Sequence, residues 1–205
     1  MMTEPTVPLS SVMNLARAAY LRGDYLQAAG EFRICADAGD SEAMGTLGVM
    51  YLHGLGVEKN VETAFVEISA SSLTGDIESS KNLAVLYYEG VGIEKDWEVA
   101  RKNFEWAADH GNVEASFFMG TMCYLGEGGV VDLAQAFSRW MFAAASGHAK
   151  ATHMVGVCYL RGNGVDPDRD TALNWFERAE ALGCEGSMEY IKVMHPDDAK
   201  GTEHA

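Results

Sequence analysis

The sequence predicts an all-α chain: a right-handed superhelical solenoid of antiparallel helix pairs, about eleven helices built on 36-residue repeats. Three observations predict it. Slid against itself by 36 residues, the chain matches over four units without a gap, 41–76, 77–112, 113–148 and 149–184. Within each unit, apolar residues recur at helical spacing in two segments, as in Leu83, Leu86 and Tyr87. Glycines two residues apart interrupt each unit, and a further glycine closes it.

The columns of this register assign the elements in order. Leu47, Leu83, Met119 and Val155 are large and apolar, and Gly48, Ala84, Gly120 and Gly156 beside them are small. Tyr51, Tyr87, Cys123 and Tyr159 follow. The first helix of a unit then stops at the pairs Gly54/Gly56, Gly90/Gly92, Gly126/Gly128 and Gly162/Gly164. A glycine there enters the left-handed region without a Cβ clash. Asn60, Asp96, Asp132 and Asp168 come next, residue types that cap a helix N-terminus. The second helix carries Ala64, Ala100, Ala136 and Ala172, then Ile68, Phe104, Trp140 and Phe176. Small residues let the helices of a pair approach, and large ones fill the gap. Gly75, Gly111, Gly147 and Gly183 close the units. Asp40, Asp76 and Asn112 cap the next first helices, while His148 and Cys184 depart from the capping types.

Residues 9–40 read as one more helix pair, joined through the tight turn Arg22-Gly23-Asp24-Tyr25 of a tetratricopeptide unit. Residues 185–194 read as a capping helix, ended by His195-Pro196. Residues 1–8 and 195–205 read as flexible ends. One pair cannot bury its own apolar face, so stacking supplies the core.

The register Ala43, Leu47, Gly48, Tyr51, Gly54, Gly56 and Val57 resembles the Sel-one-like repeat (SLR) family, relatives of the tetratricopeptide repeat with a longer loop inside each unit. Ala172, Trp175, Phe176, Ala179 and Gly183 match the second half of its pattern. Cys123, Ala84 and Gly129 depart from it. The resemblance implies an adaptor that holds protein partners. Cysteine pairs within each repeat mark some secreted relatives linked to penicillin binding, and this chain lacks them.

Composition excludes several function classes. Fifteen basic against thirty acidic residues give a net charge of −15, the wrong sign for a nucleic-acid binder. No apolar run approaches the ~20 residues of a membrane span, so no membrane insertion is expected. Met1 to Pro8 has neither a basic start nor an apolar stretch, so no secretory signal is read there. Cys35, Cys123, Cys158 and Cys184 show no paired spacing, which fits reduced thiols and a cytoplasmic location.

No catalytic, metal or cofactor site emerges. The glycine pairs follow a helix rather than a strand and lack a lysine–serine pair, so they read as helix stops. His148, His153 and Cys158 are five apart, off a common helix face, so no metal site is expected. Cys35 and Cys158 sit in core columns and read as packing thiols. Glu42, Glu78 and Glu114 suit the start of a helix dipole. Trp97, Trp106, Trp140 and Trp175 read as core or near-core.

Recognition is expected on the concave face, lined by the first helices. The inward columns are Gly45, Lys81, Phe117 and His153; Leu52, Tyr88, Tyr124 and Leu160; and His53, Glu89, Leu125 and Arg161. The first and third vary in type, unlike the core columns. Lys81, Tyr88, Glu89, Phe117, Tyr124, Leu125, His153 and Arg161 are therefore the candidate partner-binding residues. A non-enzymatic, cofactor-free scaffold for a protein or peptide is the expected function. An inhibitor or immunity-type protein, steered by acidic charge to a basic enzyme or toxin, is the alternative.

Overall fold

A computed structural model describes residues 8–194. The expected flexible ends, 1–8 and 195–205, fall outside the described residues except for Pro8. Among the described residues there are eleven helices and no strand: α1 Leu9–Leu21, α2 Tyr25–Asp37, α3 Ser41–His53, α4 Val61–Leu73, α5 Ile77–Glu89, α6 Trp97–Asp109, α7 Val113–Leu125, α8 Leu133–Ala145, α9 Ala149–Arg161, α10 Arg169–Ala181 and α11 Ser187–Met194. The first ten are all 13 residues long. Variation between units therefore lies in the connections. No described helix is long and apolar enough to cross a membrane.

The predicted stops are where the sequence puts them. The Gly54, Gly90, Gly126 and Gly162 caps are left-handed, with φ near +73° to +75°. In the first and last of these loops the second glycine has a further role. At Gly56 a Cβ would sit 2.0 Å from the Tyr25 carbonyl oxygen, and at Gly164, 2.1 Å from that of Leu133. Both loops lie directly on the backbone at the start of the preceding second helix.

Capping follows the sequence and in one place exceeds it. The side-chain oxygens of Asp40, Asn60, Asp76, Asp96, Asn112, Asp132 and Asp168 accept from backbone N–H groups in the first turns that follow. His148 fills the same role although it is not a usual capping type: its Nδ1 accepts from Ala151 N–H at 3.1 Å. That fixes the neutral imidazole with its proton on Nε2.

The pairs close by small-on-large packing. A Cβ on Gly48 would lie 2.7 Å from Ile68 Cγ1, on Gly120 2.6 Å from Trp140 Cδ1, and on Gly156 2.8 Å from Phe176 Cε1. Trp140, Phe104, Phe176 and Ile68 are fully buried. The tyrosine column repeats one contact, with Phe65 edge-on to Tyr87 at 5.8 Å and Phe137 edge-on to Tyr159 at 5.5 Å. Where cysteine replaces tyrosine, the Cys123 thiol donates to Gln135 Oε1 instead.

Trp97 corrects the expectation for the tryptophans: it is 45% exposed. It is the first residue of α6, at the rim of the unit beside the Asp96 cap, rather than on the face turned toward the core.

The described residues form two compact units, one ending at Trp106 and the other beginning at Ala107. In the first, Met13, Phe32, Leu47 and Met50 belong to one core cluster and Ile68, Leu83 and Leu86 to another. In the second, Met119, Trp140 and Val155 center one cluster, and Val157 and Phe176 another. Tyr190, Ile191 and Met194 of α11 pack on the last of these.

Candidate functional site

The first unit holds an open cleft of about 670 Å³ over α3, walled by α1 and α5. Gly45, Thr46, Val49 and His53 of α3 line it, with Tyr20 and Leu21 on one side and Lys81 and Asn82 on the other. All three elements are first helices of their pairs, so the cleft lies on the face where the inward columns were expected.

Ion pairs fix its charged groups. The Arg17 guanidinium bridges from α1 to Glu42 on α3 through two hydrogen bonds, Nε to Oε1 at 2.7 Å and Nη2 to Oε2. Those hydrogen bonds from Arg17 hold the Glu42 carboxyl below its usual range. Both side chains are about half exposed, so the pair adds little stability and acts mainly to orient. Lys81 Nζ lies 2.5 Å from Glu78 Oε1 one turn earlier on α5. The Lys81 side chain is only 11% exposed although its partner is 62% exposed.

The remaining predicted residues differ in placement. Tyr88 is half-buried, its ring edge-on to Phe104 at 6.3 Å. Glu89, the last residue of α5, is exposed. In the second unit Phe117 and Tyr124 are both half-buried around Trp140. The Trp140 Nε1–H donates to the Phe117 carbonyl at 3.2 Å, and the Tyr124 ring lies 5.5 Å from the indole. His153 is half-buried and bonded through Nδ1 to Ser187 Oγ at 2.9 Å. Leu125 is 53% exposed, and Arg161 is exposed at the end of α9.

The three columns thus divide in two. The Gly45, Lys81, Phe117, His153 column faces the start of the following unit at three of its four places. A Cβ on Gly45 would strike Ser79 Oγ at 2.1 Å, Phe117 stacks on His148, and His153 meets Ser187. Its variation is at least partly stacking, matched to the neighbor. The His53, Glu89, Leu125, Arg161 column is exposed throughout. The structure brings Lys81 into the cleft with Gly45 and His53. Tyr88 and Glu89 lie on the same helix as Lys81 outside the cleft lining, and Phe117, Tyr124, Leu125, His153 and Arg161 belong to the second unit.

Arg17, Tyr20 and Leu21 were missed. The signal was present under a different offset. Helices α3, α5, α7 and α9 start 36 residues apart, but α1 starts only 32 before α3. With that offset Tyr20 joins the Leu52, Tyr88, Tyr124 column, and Leu21 joins that of His53.

Chemistry elsewhere is sparse. Among the described residues no group of three or more His, Cys, Asp or Glu is placed to hold a metal ion. None of the four cysteines forms a disulfide. Burial pushes the Cys158 thiol up to about 11, which keeps it protonated near neutrality.

Comparison with known proteins bears on the register. The Sel1 repeat family model matches residues 41–66, 77–112, 113–147 and 149–184. The protective antigen c5321 of uropathogenic Escherichia coli, whose crystal structure displays an SLR fold, is similar with a TM-score of 0.86 and 27% identity. That match covers 92% of this chain and 41% of c5321, so this chain spans about two-fifths of that protein's length. A Sel1 repeat protein from Oxalobacter formigenes is similar with a TM-score of 0.85 and 25% identity, over 99% of this chain and 84% of that one. The comparison with curated proteins gives no match.

Proposed function

This chain belongs to the Sel1 repeat family, and from that premise we propose that it is a non-enzymatic scaffold that binds a segment of a partner protein on the inward face of its first helices. Sel1 repeat proteins are generally protein–protein interaction scaffolds. The observation that carries the finer reading is the cleft over α3, about 670 Å³ and open to solvent. Its wall offers Leu21, 85% exposed, beside Tyr20 and Val49. Apolar anchors of this kind carry most of the energy of a peptide interface, and the Arg17–Glu42 and Lys81–Glu78 pairs set register around them. Glu89, Leu125 and Arg161 extend the recognition surface within their own units. Tyr88, Phe117, Tyr124 and His153 support it from partly buried positions. A cytoplasmic location fits four cysteines outside any disulfide, three of them buried.

The test is capture with the full chain, identification of the partner by mass spectrometry, and titration of the purified pair. Leu21→Asp is expected to weaken binding by about 1–2 kcal/mol or more with helicity unchanged. Leu73→Asp, at an equally exposed residue of α4 outside the cleft, is expected to leave it unchanged. Equal affinity of both variants and the parent would overturn the cleft as the binding face.

A further inference from the structure

Helix α11 stands where another repeat would place a first helix. Ser187 falls in the column of Ala43, Ser79, Ala115 and Ala151, and it is fully buried. Beside it lies the half-buried imidazole of His153. The His153 ring lies 5.2 Å from Phe176 and 5.2 Å from Tyr190, and Tyr190 stacks on Phe176 at 4.6 Å. The His153 Nδ1–Ser187 Oγ hydrogen bond joins α9 to α11, and Ile191 and Met194 add apolar contacts to the Val157 and Phe176 cluster.

We propose that His153 makes α11 a pH-sensitive cap, closed over the end of the second unit while the imidazole is neutral and released when it takes up a proton. The groups that face it are Phe176 from α10, which does not ionise, and Ser187 and Tyr190 from α11. His148 and Lys150 lie earlier on its own helix. Burial pushes the His153 imidazole below its usual value. Protonation would leave the Ser187 contact intact, because a hydroxyl accepts as well as it donates. What the closed α11 withholds is the hydration an imidazolium needs. Phe176 and Tyr190 each lie 5.2 Å from the imidazole, so with α11 closed their rings occupy space that water would take around the charged ring.

The sign follows from which state binds the proton. With α11 released, His153 titrates near the ordinary value of about 6.5 and takes up protons below it. Closure is at full strength above that pH and weakens as pH falls through it. One unit below, a single histidine shifts the equilibrium toward release by up to about tenfold. Release uncovers Phe176 and Val157.

Hydrogen exchange of the full chain, followed by mass spectrometry at about pH 7.5 and about pH 5.5 and corrected for intrinsic rates, tests the proposal. Protection of residues 187–194 is expected to fall several-fold, up to about tenfold, relative to α4 in the parent. In His153→Gln, which keeps a hydrogen-bonding group but does not titrate, it is expected to stay constant. No fall in the parent, or an equal fall in the variant, overturns the cap. Should the variant fail to close α11 at the higher pH, an NMR titration of His153 in the parent decides: a midpoint below the ordinary value supports the proposal, and one at or above it overturns it.

Discussion

The imidazole of His148 lies flat on the ring of Phe117, with centroids 4.6 Å apart and planes 24° from parallel. Phe117 occupies a variable inward position on α7, and His148 caps α9 two helices later. The stack ties this variable inward position to the start of the next repeat.

Phe117→Ala is expected to cost stability before it costs binding. The ring is half-buried, so the loss should be about 1–3 kcal/mol, below the range for a fully buried phenylalanine. Urea unfolding of parent and variant measures it. An unchanged midpoint would mean the stack contributes nothing to the fold.

Acid should weaken the cap that His148 places on α9, because Nδ1 accepts from the Ala151 N–H only while it is unprotonated. Burial pushes the His148 imidazole below its usual value, and nearby Lys150 pushes the same way while Glu114 on α7 opposes them. Unfolding raises the histidine back to about 6.5, so its contribution to stability is complete above that pH and is lost as pH falls through it. His148→Asn, which installs the cap that Asn112 already provides one unit earlier, should flatten the decline between about pH 7 and pH 5 in stability curves.

Gly56 and Gly75 separate two costs of replacing a left-handed glycine. Both have positive φ, +67° and +90°. Around Gly75 there is open space, so Gly75→Ala should lose about 1–2 kcal/mol from backbone strain. Gly56→Ala should lose more, because its Cβ would meet the Tyr25 carbonyl. Gly92→Ala should fall with Gly56, since Val61 Cγ1 stands 2.2 Å from the Cβ position. Equal midpoints for the Gly56 and Gly75 variants would refute the close approach.

The thiols should divide one against three. Cys35, Cys123 and Cys158 are fully buried, and Cys184 is half-buried between α10 and α11. In an aromatic disulfide reagent at neutral pH, one thiol per chain is expected to react promptly and three only on unfolding. Cys184→Ser should abolish the fast phase. Two or more fast thiols in the parent would show that the core opens more readily than its packing implies.

Much of this protein was legible because its rules are local. A left-handed glycine, a capping carboxylate and a small residue opposite a large one act within one unit, so four copies print them four times. The exposed Leu125 and Arg161 were legible for the same reason, since they are last residues of first helices. The tertiary structure alone decided the rest. Whether Phe117 faces solvent depends on His148, 31 residues later, and whether His153 does depends on Ser187, 34 residues later. The cleft wall at Tyr20 and Leu21 depends on a connection four residues shorter than the repeat. Exposure belongs to the pair of surfaces that meet, and in a stacked protein half of every such pair comes from the neighboring unit.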